Sequence, residues 1–313
     1  MASSDHRLRN KVHAELTALL NGGQLAVTPG PVQAFLDHRL IARVARQYRA
    51  QQADAPTQGR SALVAAGVPG AGKSTLIDAL TSGYRRIDPD QIKDIVLAEL
   101  DGAGLIDVRH DHALADGLPV SPGELAGWVH NASIEAANQV RLASLQLGEN
   151  FVMEGTLSWR PLTDSHVDEL AAAGFERLTI VDVEVPLPVA VEQSKQRWWL
   201  DRHAGRLTHG AALGGRFIAE SVLSKHFLKR TNVSGCAINA RKLYHNANDA
   251  GIESELIVVT RTAAGSQYAA QISPDGVQPW QDASLGAVCT RCGSILRERG
   301  AIMRGFGANH VRR

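Results

Sequence analysis

The sequence lacks most features of secreted, membrane-bound and nucleic-acid-binding proteins. It has only three cysteines in 313 residues, too few and too odd a number for a disulfide framework, so a reducing cytoplasm is the expected compartment. No apolar run approaches the roughly 20 residues of a membrane span, and the start, MASSDHRLRNKVHAEL, has no apolar segment of signal-peptide type. The formal net charge of +1 favours neither nucleic acid nor an anionic membrane as a partner.

The composition that remains is that of a globular protein. Hydrophobic residues make up 44% of the chain and charged residues 21%, which is enough apolar material for a sizeable core. The length allows one large domain or two smaller ones.

The most informative stretch, residues 61–80, reads SALVAAGVPGAGKSTLIDAL. It contains the pattern G-x-x-x-x-G-K-[ST], which is typical of a phosphate-binding P-loop, between an apolar run that reads as a strand and a helical pattern. Glycines let the backbone turn sharply, and the loop N–H groups then point at phosphate. The lysine can reach the β- and γ-phosphates, and the serine hydroxyl can ligate Mg²⁺. The residues predicted to bind the nucleotide are Gly67, Gly70, Ala71, Gly72, Lys73, Ser74 (also the Mg²⁺ ligand) and Thr75.

Strand and helix patterns alternate after the P-loop, which predicts a doubly wound parallel α/β sheet. Apolar runs typical of strands lie at 62–66, 150–153, 178–185 and 255–260, and residues 267–272 are predicted to pair with the last of these as a hairpin. Helical patterns are predicted over 31–48, 91–100, 121–147, 164–173, 189–200 and 217–247.

Carboxylates follow two of the predicted strands, at the sheet edge where ligands bind in such folds. Asp88 and Asp90 end a short strand, and each could accept the proton of an attacking hydroxyl or cap the next helix. Glu154 and Thr156 end another strand in the run Glu-Gly-Thr. These residues are candidates for the substrate site.

An arginine-rich, glycine-containing segment lies further along the chain, with Arg197, Arg202, Arg206 and Arg216 among four glycines. Such a segment suits a lid whose arginines stabilise the charge of a transferring phosphoryl group. The alternative is a surface loop with solvated arginines.

Two clusters could suggest a metal other than Mg²⁺. Cys289 and Cys292 resemble half of a zinc knuckle, which Cys236 and His310 could complete, but free thiols are the favoured interpretation. The pair His110 and His112 more often belongs to a solvated polar loop than to a metal site.

Several segments together resemble the zeta toxin family of P-loop kinases. These are the P-loop itself, Ile87-Asp-Pro-Asp-Gln-Ile-Lys93, Glu124-Leu-Ala-Gly-Trp-Val-His130, Phe151-Val-Met-Glu-Gly-Thr-Leu157, the arginine-bearing segment from Arg197 to Arg216, and Leu243-Tyr-His-Asn246. The resemblance implies a P-loop kinase core over 60–262. Outside it, the sequence predicts a helical N-terminal extension with a linker over 1–59 and a small C-terminal extension over 263–313.

The resemblance also implies a function. It implies phosphoryl transfer from ATP or GTP with Mg²⁺, with the 3′-hydroxyl of UDP-N-acetylglucosamine as the acceptor and an antitoxin protein as a candidate partner. Asp90 resembles the base that faces the sugar hydroxyl, and Asn246 a nucleotide contact. Where many relatives carry an acidic residue after the helix histidine this chain has Asn131, and Glu135 is the candidate to replace it. Arg197, Arg206 and Arg216 resemble lid residues on the phosphates, and Glu154 and Thr156 resemble substrate or metal-water contacts. Asp88 is also predicted to bind the substrate.

Two other interpretations stay open at this point. One is a P-loop kinase of another hydroxyl, such as that of a nucleotide like NAD, an antibiotic or a polynucleotide end. The other is a nucleotide-dependent switch without an acceptor. The separate carboxylates at Asp90 and Glu154 favour an enzyme with an acceptor site over the switch.

Overall fold

A computed structural model describes residues 2–52, 56–204, 213–229, 231–262 and 267–280. The helices are α1 (Ala2–Leu20), α2 (Gly30–Phe35), α3 (His38–Gln51), α4 (Lys73–Leu80), α5 (Pro89–Gly102), α6 (His130–Leu147), α7 (Leu162–Ala172), α8 (Leu187–Ala204), α9 (Glu220–Ser224) and α10 (Gly235–Asp249). The strands are β1 (Ser61–Ala66), β2 (Arg85–Ile87), β3 (Phe151–Met153), β4 (Arg177–Glu184), β5 (Glu253–Arg261), β6 (Gln267–Ser273) and β7 (Gly276–Pro279). None of the helices in these ranges is long and apolar enough to cross a membrane.

The strands form one seven-stranded sheet in the order β2-β3-β1-β4-β5-β6-β7. The first five are parallel, and β6 and β7 add an antiparallel hairpin at one edge. The predicted doubly wound α/β fold is therefore confirmed, and so is the pairing of residues 267–272 with β5. Because β1 lies inside the sheet, its carboxyl end and the P-loop lie near the carboxyl ends of both neighbours, β3 and β4.

Strand β1 is buried on both faces, and its side chains alternate between two apolar cores. Ala62, Val64 and Ala66 belong to the larger core, which includes residues of α1, α3, α5 and α6. Leu63 and Ala65 belong to the smaller one, with residues of α4 and α8. Val12 and Leu16 of α1 are fully buried in the larger core, so this helix is part of the packed fold.

Three predicted helices are broken, each for a local reason. The helix expected over 31–48 divides into α2 and α3 because the Asp37 side chain accepts from the N–H groups of Arg39 and Leu40, which starts a new helix. The helix expected over 121–147 is a short 3-10 turn, Pro122–Leu125, followed by α6. The helix expected over 217–247 is interrupted before α10, which Ser234 caps by accepting from the N–H of Ala237.

Candidate active site

The P-loop joins β1 to α4 through three glycines with left-handed backbone angles. Gly67 has φ +127°, Gly70 +80° and Gly72 +81°. The loop also lies tightly against the rest of the fold, because a Cβ at Gly67 would overlap the Val183 carbonyl of β4 and one at Gly70 would lie 2.8 Å from the Ala190 carbonyl of α8. These glycines are therefore required by backbone angle and by space.

Lys73, the first residue of α4, folds back over the loop. Its Nζ donates to the carbonyl oxygens of Gly67 at 2.7 Å and Val68 at 3.0 Å. Burial lowers the pKa of Lys73, and nearby negative charges, including those of Asp90 and Glu154, act against that shift. The ammonium group thus binds two carbonyl oxygens of the loop, and phosphate oxygens are acceptors of the same kind.

The first turn of α4 begins directly after the loop and carries the predicted magnesium ligand, Ser74. Ala71 is buried in the loop, while Ser74 is exposed and Thr75 follows it in the same turn. The charge of the half-buried Asp88 contributes to raising the pKa of the buried Glu154, which shows that the two carboxylates interact electrostatically. A hydroxyl at a helix N-terminus is a ligand that suits Mg²⁺, so Ser74 is the residue that would hold the ion. When bound, Mg²⁺ neutralises charge on the phosphates.

Asp88 and Asp90 have different roles, although they are two residues apart. The Asp88 carboxylate caps α5, accepting from the Asp90 N–H at 2.8 Å. Burial, followed by the charge of Asp90, raises the pKa of Asp88. Burial also acts to raise the pKa of Asp90, but Lys93, 2.8 Å away, and Arg216 outweigh it and lower that pKa below its ordinary value. Asp90 is therefore ionised at neutral pH, and its carboxylate is not used as the helix cap.

Glu154 and Thr156 follow β3 on the same edge of the sheet. Glu154 forms an ion pair with Arg86, which also binds Asp78 at 2.6 Å. Burial raises the pKa of Glu154. The Thr156 carbonyl accepts from the N–H of Gly67 at 3.2 Å, and this hydrogen bond joins the strand end directly to the start of the P-loop.

Arg216 lies beside Asp90 at the N-terminus of α5. Its Nη2 donates to the Asp90 carbonyl at 2.7 Å and to the Asp94 carboxylate at 2.5 Å, and its Nη1 is 3.9 Å from the Asp90 carboxylate. Arg197 is largely exposed on α8, 3.8 Å from Asp201, and its charge contributes to lowering the pKa of Asp90. Arg206 lies outside the described residues.

Arg202, which the sequence grouped with these arginines, lies elsewhere in a buried cluster. It binds Asp116 at 2.8 Å and Glu124 at 2.7 Å, and the three side chains are 1%, 2% and 0% exposed. Trp198 donates to the same Glu124 carboxylate at 2.8 Å. This cluster joins α8 to the segment before α6.

Two further predicted residues lie apart from this group. Asn246 donates to Asp164 of α7 at 2.7 Å. It is near the C-terminus of α10, whereas the N-terminal Ser234 of that helix binds Glu184 at the carboxyl end of β4. Twelve helical residues span about 18 Å, so the structure does not bring Asn246 to the P-loop. Glu135 is exposed on α6.

The zinc hypothesis concerns residues that are mostly not described. Cys289, Cys292 and His310 lie outside the described residues, while Cys236 is buried. Within the described ranges there is no group of three or more His, Cys, Asp or Glu side chains that could hold a metal ion.

Four residues of the site were not singled out from the sequence. Lys93 binds Asp90, and its i,i+3 spacing from Asp90 on a predicted helix was a usable signal.

Arg86 binds Glu154, and Tyr48 accepts from the Asp88 N–H at 3.0 Å and donates to the Arg86 carbonyl at 3.1 Å. Arg261 donates to the Ala71 carbonyl at 2.8 Å from the end of β5. The last three contacts come from other elements of the fold, so no local pattern could have indicated them.

Comparison with known families supports the resemblance seen in the motifs. A family model described as Zeta toxin matches residues 45–245, more than half of the chain. This chain belongs to the zeta toxin family. The matched range of this zeta toxin family member contains the P-loop, Asp90, Glu154 and Arg216, but leaves out α1, α2 and the strands β5 to β7.

Other comparisons add little to the family assignment. A solved chain from a study of the PezAT chromosomal toxin–antitoxin system of the human pathogen Streptococcus pneumoniae is 12% identical, and the match covers 84% of this chain and 93% of that one, with a TM-score of 0.43. At that similarity the likeness carries no argument about function. No curated protein sequence matches this zeta toxin family member.

Proposed function

We propose that this member of the zeta toxin family is a small-molecule kinase that transfers the γ-phosphoryl group of ATP or GTP to the 3′-hydroxyl of UDP-N-acetylglucosamine. The observation that carries the proposal is an ionised aspartate, Asp90, across from a P-loop whose Lys73 is within its electrostatic reach. A triphosphate site alone would serve a switch equally well. An ionised carboxylate that does not cap its helix provides a place for an acceptor hydroxyl.

In this proposal each residue has one task. The P-loop N–H groups and Lys73 hold the triphosphate, and Ser74 provides a hydroxyl for Mg²⁺. Asp90 orients the acceptor hydroxyl and takes its proton. Arg216, with Arg197 and Arg206, stabilises the charge on the transferring phosphoryl group. Glu154 and Thr156 contact the acceptor, on the side of the site where Thr156 binds Gly67. Asn246 and Glu135 are not needed by this arrangement.

The family also supports a biological role for the reaction. The proposed product would block the use of UDP-N-acetylglucosamine in cell-wall precursor synthesis, which accounts for a toxin. We include in the proposal an antitoxin protein as a partner and the cytoplasm as the place of action.

Mass spectrometry of the acceptor tests the proposal directly. The purified chain is incubated with UDP-N-acetylglucosamine, Mg²⁺ and either ATP or GTP, and the sugar nucleotide is expected to gain the mass of one phosphoryl group. Lys73→Ala is the matched control and is expected to give no product. An unchanged acceptor mass while the nucleotide is consumed would move the assignment to another hydroxyl acceptor, and nucleotide binding without consumption would favour a switch.

A further inference from the structure

Arg261, at the end of β5, reaches from the C-terminal hairpin to the P-loop. Its Nη1 donates to the Ala71 carbonyl at 2.8 Å. Its Nε donates to Oε1 of Gln267 at 2.7 Å, and Gln267 is the residue paired with Arg261 in the β5–β6 register. The guanidinium group is therefore held by the hairpin on one side and by the loop on the other.

The hydrogen bond to Ala71 controls more than one carbonyl group. The Ala71 C=O and the Gly72 N–H belong to the same peptide unit, which is planar and trans, so the two groups point in opposite directions. Fixing the carbonyl towards Arg261 therefore fixes the Gly72 N–H towards the other side of the loop. In a P-loop the N–H groups on that side are the phosphate donors.

The shape of Gly72 fits this arrangement. A Cβ at Gly72 would overlap Nη1 of Arg261, so the absence of a side chain makes room for the guanidinium group. The φ of +81° at Gly72 is a second reason for glycine there. The P-loop motif and Arg261 thus form one packed unit, although Arg261 lies outside the residues 45–245 that match the family.

We propose that Arg261 is a positioning residue that holds the Ala71–Gly72 peptide in its phosphate-binding orientation and thereby sets the affinity of the P-loop for polyphosphate. Arg261 acts through the backbone and not through the nucleoside. The inference rests on the triphosphate binding included in the proposed function, and it is independent of which acceptor is used.

Binding measurements on four variants test this role. Titration calorimetry with ATP and with inorganic tripolyphosphate, each with Mg²⁺, compares the wild-type chain with Arg261→Ala, Arg261→Lys, Gln267→Ala and Arg177→Ala. Arg261→Ala is expected to lower the affinity for ATP and for tripolyphosphate equally, by about tenfold. This corresponds to the loss of one charge-assisted hydrogen bond. Arg261→Lys is expected to recover part of the affinity, since an ammonium group still donates to a carbonyl. Gln267→Ala is expected to cause a smaller loss, and Arg177→Ala, an exposed arginine at the far end of β4, no loss.

The outcomes separate the proposal from its alternatives. Unchanged affinity of Arg261→Ala for both ligands would overturn it. A loss with ATP but not with tripolyphosphate would show that Arg261 contacts the nucleoside, which also contradicts the proposal. If Arg261→Ala fails to fold in a thermal scan, the comparison of Arg261→Lys and Gln267→Ala with the wild type decides. A wild-type chain that binds neither ligand would overturn the proposed function and this inference together.

Discussion

Arg202 and Arg216 lie fourteen positions apart in the sequence, yet their surroundings differ sharply. Each binds two carboxylates. The side chains of Arg202, Asp116 and Glu124 are 1%, 2% and 0% exposed. Those of Arg216, Asp90 and Asp94 are 23%, 49% and 44% exposed. Both clusters consist of an arginine and two carboxylates, and burial distinguishes them.

Burial identifies Arg202 as the structural arginine of the two. In the buried cluster Glu124 also accepts from Trp198 and from the Ser121 N–H, so its hydrogen-bond partners all come from within the fold. In the exposed cluster Nη1 of Arg216 remains 3.9 Å from the Asp90 carboxylate. Arg216 is also bound closely by Asp94, but its partly solvent-accessible charge can be reached by a ligand, whereas a charge that is buried with its partners serves to hold the fold.

Removal of the buried guanidinium group of Arg202 should change the stability of the fold most. Arg202→Met leaves Asp116 and Glu124 as buried carboxylates without their cation, so we expect the free energy of unfolding to fall by about 3–5 kcal/mol. Denaturant unfolding measures it. Arg197→Met, on an exposed turn of the same helix, is the control and is expected to change stability by less than about 0.5 kcal/mol. Equal losses of unfolding free energy in Arg202→Met and Arg197→Met would contradict the assignment of Arg202 as a structural arginine.

On the exposed side, the largest expected effect is that of Asp90→Asn. An amide cannot take the proton of an acceptor hydroxyl, so phosphoryl transfer should fall by roughly 10²–10⁴-fold. The affinity for ATP should stay within about twofold, because the P-loop binds through backbone N–H groups. Asp168→Asn, an exposed aspartate of α7, is the control. Transfer at the wild-type rate by Asp90→Asn would exclude Asp90 as the base.

A pH effect is expected at His13, which packs against Trp198, a partner of the buried cluster, and against Phe217, the neighbour of Arg216 in the sequence. Burial, assisted by Lys195, lowers the pKa of His13 to about 4 from the ordinary 6.5. Between about pH 6.5 and pH 4 the unfolded chain therefore binds a proton at this histidine, and the folded chain does not. The contribution of His13 to the free energy of unfolding is therefore fully present above pH 6.5, and it decreases as the pH falls towards 4.

The expected size of the His13 effect is about 2 kcal/mol between pH 7 and pH 5. Unfolding measured at both pH values, for the wild type and for His13→Gln, isolates it, because glutamine does not titrate. If acidification destabilised the two proteins equally, the lowered pKa would not be the cause.

A smaller effect on phosphoryl transfer than that of Asp90→Asn is expected at Arg216. Arg216→Ala should lower kcat/KM for phosphoryl transfer by roughly tenfold to a hundredfold. It should lower stability by less than about 1 kcal/mol, since partly exposed ion pairs contribute little. Arg216→Lys should restore part of the activity. A stability loss as large as that of Arg202→Met would place Arg216 with the structural arginines.

The parts of the molecule that depend on backbone pattern could be predicted from the sequence. The strand before Gly67, the helix from Lys73 and the parallel sheet all follow from local periodicity and glycine spacing. The roles of side chains could not be predicted in the same way. Asp88 and Asp90 have the same chemistry, and only the hydrogen bond to the Asp90 N–H shows which one caps the helix. Tyr48 and Arg261 reach the site from distant parts of the chain, for which no local signal exists.

The hydrogen bond between Arg261 and Ala71 joins residues 190 positions apart in the chain. During synthesis the ribosome releases the phosphate-binding motif long before it makes the strand that carries Arg261. At typical elongation rates the interval is roughly 10–40 s. A newly made chain therefore carries its complete motif for that time before the guanidinium group that contacts it exists. A chain cut by a protease between β5 and the preceding helix α10 would keep the motif and lose the covalent link to its distant partner.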